Sequence, residues 1–167
     1  MADRSVHYEA AFEAYLRHRG IPYVAVDEAK KAVFANAKLK SFDFVVYSQN
    51  GPNLLIDIKG RQHRTAGRST RSGFETWTTE QDVADLTQWE QVFGEGFKAL
   101  LGFVYWIDPP LTPEAGMFEH KDRWYWLVGI DLGEYRNHMR RRSGKWETVS
   151  LPAADFRQLA RPIESWL

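Results

Sequence analysis

The chain has 167 residues, enough for one domain with a real core, and an aromatic share of 14% with seven Trp and ten Phe. It contains no Cys, which excludes disulfides, thiolate chemistry and sulfur-ligated zinc, so a metal would sit among oxygens and His. Lys+Arg 22 against Asp+Glu 22 gives no net charge, which argues against a protein that simply coats nucleic acid and favours a local basic groove.

The first element is a helix over Val6–Arg19, with Tyr8, Phe12, Tyr15 and Leu16 on one apolar stripe. Ser5 suits its N-cap, and Gly20 followed by Pro22 stops it. Short extended runs follow at 23–26 and 33–35. Residues 42–47 read as a strand, 49–53 as a turn and 54–59 as the returning strand. The polar, Arg-rich stretch 60–73 reads as an exposed, mobile loop. A second helix is expected over 79–93, with Thr78 and Gln81 as a capping box and Gly94 and Gly96 at its end. Residues 99–107 are apolar on both faces, as in a central strand, and 124–130 repeat the pattern. Prolines 109, 110 and 113 open an irregular loop between them. A short basic helix over 134–142, a strand near 146–149 and a last helix over 153–160 complete one α/β domain spanning 1–167, a mixed sheet flanked by helices. No apolar run approaches the ~20 residues of a membrane span. Residues 1–4 lack a signal-peptide core, so the expectation is a soluble, cytoplasmic protein with no membrane partner.

Strand alternation puts Leu54, Ile56 and Ile58 on one face and Leu55, Asp57 and Lys59 on the other. In the natural hairpin register, Asp43 lies near Asp57 on the same face. Mg²⁺ prefers oxygen ligands and keeps several waters. Two carboxylates plus the Ile58 backbone carbonyl would leave positions for a phosphate oxygen and a nucleophilic water, with a lysine alongside to orient the water. An Asp and a Lys at alternate positions also suit a solvated strand face. Asp43, inside an apolar strand, tips the balance, because a carboxylate there is costly without a cation. On the first helix, Glu9 lies about 100° and Glu13 about 140° round from Tyr8, so Glu9 edges the buried stripe and could reach a cleft.

Glu9, Asp43 and Ile56-Asp57-Ile58-Lys59, in this order, resemble the PD-(D/E)xK nuclease superfamily, in the layout of Holliday-junction resolvases and related endonucleases. His7-Tyr8-Glu9-Ala10-Ala11-Phe12-Glu13 is similar to the HYExAFE signature. The resemblance implies a restriction-endonuclease-like αβββαβ core with C-terminal additions. It also implies Mg²⁺ or Mn²⁺ held by Asp43 and Asp57 with help from Glu9, and Lys59 as the water-positioning residue. Phe42 stands where the superfamily's name has Pro, and the chain beyond Ile107 matches nothing specific.

Arg61, His63, Arg64, Arg68 and Arg71 follow Lys59 with no acid before Glu75, and a cationic loop there suits a phosphate backbone. Arg136, Arg140, Arg141, Arg142 and Lys145 form a second cluster, read as a helix C-terminus complemented by its dipole. Trp77 reads as packing, with stacking on an unpaired base as the alternative. Gln88 stands where some relatives place a site-facing polar group. The leading expectation is a metal-dependent nuclease acting on DNA ahead of RNA, with a homodimer as one arrangement for cutting two strands. The alternatives are an inactive nuclease-fold protein that binds nucleic acid or a protein partner, and an α/β protein whose acidic residues are structural.

Overall fold

A computed structural model describes residues 6–26, 32–34, 37–65, 73–110 and 116–167. Helix α1 (Val6–Arg19) is followed by β1 (Tyr23–Ala25), a hairpin of β2 (Ala32–Phe34) and β3 (Ala37–Leu39), then β4 (Phe44–Val46) and β5 (Asn53–Arg64). Strand β6 (Thr78–Thr79) leads into α2 (Glu80–Phe93), β7 (Phe97–Asp108), β8 (Met117–His120) and β9 (Arg123–Asp131). The chain ends with α3 (Leu132–His138), β10 (Arg140–Ser143), β11 (Thr148–Ser150), α4 (Ala153–Leu159), β12 (Arg161–Pro162) and a 3-10 turn, Ile163–Trp166.

The main sheet has the order β1-β4-β5-β7-β9-β12, with β8 paired to β9. Strands β1, β4 and β5 run antiparallel, whereas β5 and β7 are parallel from Asn53 opposite Phe97 to Arg64 opposite Asp108. A parallel pair needs a long crossover, and α2 supplies it. With the β2–β3 hairpin set aside, α1-β1-β4-β5-α2-β7 is the expected αβββαβ core, a mixed sheet flanked by helices.

Two apolar layers cover the sheet. On one face Tyr8, Phe12 and Leu16 of α1 pack against Phe44, Leu54, Ile56 and Ile58. On the other, Val83 and Leu86 of α2, Tyr135 of α3 and Phe156 of α4 pack against Leu55, Leu101 and Phe103. The expected helical stripe and the expected strand alternation are therefore both present. Helix α1 stops at Gly20, whose φ of +66° suits a residue without Cβ, and Ile21 N–H returns to the Leu16 carbonyl. Among the described residues no helix is long and apolar enough to cross a membrane.

Several sequence expectations need correction. Strand β5 does not end at Lys59 but runs to Arg64, because β7 extends beside it and gives its backbone ladder partners. The expected loop 60–73 thus begins as strand, and residues 66–72, with Arg68 and Arg71, lie outside the described residues. The N-cap of α2 is Thr79, which accepts from Asp82 N–H, rather than Thr78. The basic helix ends at His138, and Arg140–Ser143 is strand paired to β11. Trp146 sits in the turn between them, before a strand that starts at Thr148.

Candidate active site

Strand β4 pairs with β5 only from Leu54 to Ile56. One residue further on, Asp43 N–H still donates to the Ile56 carbonyl at 3.0 Å, and the Asp43 carboxylate accepts from Ile58 N–H. The side chain thus replaces the backbone where the ladder stops. A strand residue's N–H and C=O point to the same side, so the Ile58 carbonyl faces this edge as well. Asp43 is 7% exposed, and its carboxyl group interacts with that of Asp57.

Lys59 Nζ lies 2.8 Å from Asp57 Oδ2 and 2.8 Å from Asp82 Oδ2, with its side chain 13% exposed. Burial pushes the Asp57 carboxyl above its ordinary pKa, against the pull of Lys59, and the nearby Asp82 charge adds to the rise. For Lys59 burial works downward, but Asp57 and Asp82 outweigh it and hold the ammonium above its ordinary value. Burial also works against the Asp82 anion, yet Lys59 and Lys40 pull its carboxyl well below the usual range. Lys40 Nζ is 2.6 Å from Asp82 Oδ1, and Thr78 Oγ1 donates to Asp82 Oδ2 at 3.2 Å. Asp82 sits in the first turn of α2, where the helix dipole favours an anion.

Asp82 and its neighbour Asp85 escaped the sequence reading. Asp85 is buried and accepts from Lys40 N–H and Gln81 Nε2. Their signal was present: Asp82 and Asp85 flank Val83 and Leu86, which puts two carboxylates beside the buried stripe of α2.

A cleft of about 1320 Å³ opens over this edge, with Glu9, Ile58, Lys59, Arg61, Arg64, Trp77, Asp82, Trp106, Lys121 and Arg123 on its walls. Asp57 faces a separate small crevice with Lys40, Asp82 and Asp85. Glu9 comes from the helical layer on the opposite face of the sheet and lines the same cleft as Lys59. Glu13 instead accepts from Tyr23 Oη and Arg17 at the surface. Gln88 is exposed and lines neither cavity. Among the described residues no three His, Asp or Glu side chains converge as a ready metal cage.

The basic stretch after Lys59 is more ordered than its composition suggests. The Arg61 side chain is 14% exposed, its guanidinium lies 3.9 Å from the Trp77 ring centroid, and it donates to the carbonyls of Gly60 and Trp77. It is part of the cleft wall, whereas Arg64 is exposed at the cleft. His63 stacks on Phe74 with centroids 4.0 Å apart.

No protein-family profile matches the chain, and no curated protein matches it in sequence, so the likeness to the HYExAFE signature is a likeness of motif and no family is assigned by it. Among solved structures it is similar to Hjc, a Holliday junction resolvase from the archaeal hyperthermophile Archaeoglobus fulgidus, with a TM-score of 0.59 at 12% identity. The alignment covers 96% of this chain and 98% of that one. At that identity the likeness concerns the fold, and it extends over the segments beyond Ile107 that no motif identified.

Proposed function

We propose that this chain is a metal-dependent nuclease hydrolysing phosphodiester bonds, DNA ahead of RNA. One observation carries the reading: the Asp43 carboxylate accepts from Ile58 N–H, between Asp57 and Lys59 on the neighbouring strand, and Lys59 Nζ stands 2.8 Å from Asp57. The resolvase-like fold supports it.

The donor chemistry fits a hard divalent cation. Asp43 is buried and fixed on Ile58 N–H, next to Asp57 in the chain, so two carboxyl groups and the Ile58 carbonyl gather oxygen donors at one place on the strand. Asp43, Asp57 and the Ile58 carbonyl would hold Mg²⁺ or Mn²⁺, with Glu9 contributing from the cleft wall. Such an ion supplies polarisation of the phosphate and a water of lowered pKa. Lys59 is kept charged by Asp57 and Asp82, so its ammonium can donate to the attacking water and offset negative charge on phosphate oxygens. Asp82 positions that ammonium, and Lys40 and Thr78 position Asp82. Arg64 suits contact with the phosphate backbone, and Arg61 braces Trp77 behind it.

A second reading, a non-catalytic nuclease-fold protein that binds nucleic acid, is favoured by the ion pairs of Lys59, which already give Asp57 and Asp82 a counter-charge. Cleavage separates the two. Pure protein is incubated with supercoiled, linear, branched and single-stranded DNA in Mg²⁺, Mn²⁺ or EDTA. The nuclease reading expects cutting that EDTA stops and that Asp57→Ala and Lys59→Ala each reduce by at least about 10²-fold. Cutting that survives both substitutions, or no cutting with either metal, ends it.

A further inference from the structure

Of the second basic cluster only Arg136 lies in the last turn of α3; the other four cations have no helix to complement. Helix α3 closes at His138, where Met139 N–H returns to the Tyr135 carbonyl, and Arg140, Arg141 and Arg142 stand exposed on β10. The turn to β11 adds exposed Lys145 and Trp146, and Trp146 is 68% exposed, the most of any large apolar side chain among the described residues. Four cations fall within residues 140–145 of a chain with no net charge. Only Arg141 has a carboxylate partner among the described residues' ion pairs, Glu80 at 3.6 Å. Lys145 Nζ lies 5.2 Å from the Trp146 ring centroid.

The hairpin is joined to the cleft. Strand β11 pairs with β6, which leads directly into the turn of α2 that carries Asp82. The Arg142 guanidinium lies 5.2 Å from the Trp77 ring centroid, on an indole that also carries Arg61 and lines the cleft with Lys59. Arg61, Trp77 and Arg142 therefore link the cleft wall to the start of the hairpin, with Glu75 beside Trp77 and Arg61.

We propose that the β10–β11 hairpin is a second DNA contact, holding a strand that leaves the cleft. Arg140, Arg142 and Lys145 take its phosphates, and Trp146 stacks on an unpaired base. Cations on a neutral protein give a local, sequence-independent hold on a backbone, and an exposed indole offers a platform to any base that is not paired. The chemistry favours DNA with a single-stranded segment beside the cut. This inference deepens the nuclease reading, but it concerns binding and is tested without cleavage.

The probe is a fluorescein-labelled single DNA strand and the same sequence as duplex, titrated with the full chain in EDTA over a range of salt. Combined Arg140→Ala, Arg142→Ala and Lys145→Ala should weaken both probes about tenfold and lower the salt slope by about 2 to 3, one phosphate per lost cation. Trp146→Ala should weaken the single strand about tenfold while leaving the duplex unchanged, and Trp146→Phe should restore most of the loss. Thermal melting of all variants should match the parent, since these side chains are exposed. The proposal is overturned if the parent binds neither probe, if the triple variant keeps the parent's affinity and salt slope, or if Trp146→Ala affects both probes alike. Hairpin-dependent binding with no cleavage under any metal would leave the inference standing and remove the catalytic reading.

Discussion

Two carboxylates share the Lys59 ammonium, and burial and charge drive them in opposite directions. Burial raises Asp57, while Lys59 and Lys40 lower Asp82 in spite of its burial. Asp57 keeps a proton in the fold at pH values where the unfolded chain has lost it, so its contribution to stability declines as pH rises through that window. Asp57→Asn should then stabilise the metal-free protein at pH 7 by about 1 kcal/mol, the ordinary gain from relieving a strained functional site, while abolishing cleavage. Urea melts at pH 5 and pH 7 check this, with the larger gain at the higher pH. Asp82 has the reverse sign: its lowered value gives stability above the ordinary carboxylate range that is lost on acidification. Asp82→Asn leaves a buried lysine with one partner fewer and should cost about 3 kcal/mol at pH 7. Further urea melts taken down to about pH 2 should show the gap to the parent narrowing below about pH 4. Asp43, Asp57 and Lys59 were legible in the sequence because a hairpin converts alternation into proximity. Asp82 stands 23 residues beyond Lys59, and an acid in the first turn of a helix is readily taken as dipole compensation.

At the level of elements, the helix that carries Glu9 is seated by one glycine. A Cβ on Gly60 would overlap the Tyr8 ring, so α1 lies directly on β5 only because position 60 has no side chain. Gly60→Ala should push Tyr8, and Glu9 beside it, away from the sheet. The expected loss is about 2 kcal/mol of stability from overpacking together with reduced cleavage, measured by thermal melting and initial rates on one sample. A variant as stable and as active as the parent would show that the approach of α1 to β5 does not set the site. The sequence revealed α1, the hairpin of β4 and β5, α2, β7 and β9, since each buries a face with its own period. It hid the far half of β5 and all of β10. Both are polar, and each is held as strand by a distant partner, β7 in one case and β11 in the other. Local pattern marks the first as loop and most of the second as helix, and nonlocal pairing overrides both.

Across the whole molecule, equal numbers of acids and bases and a pI near 7.0 leave little long-range repulsion between copies at neutral pH. Solubility should pass through a minimum close to pH 7 and recover by pH 8.5, which static light scattering against pH would record; a flat profile would mean that local patches, not net charge, govern self-association. The sheet order was beyond sequence reasoning because it depends on the crossover α2 bringing β7 alongside β5. That crossover also brings in Asp82, without which Lys59 keeps one of its two acidic partners. The segment that joins β5 to β7 thus both orders the sheet and completes the setting of Lys59. A nascent polypeptide halted before α2 would display both strand carboxylates and still lack the seat that steadies their amine.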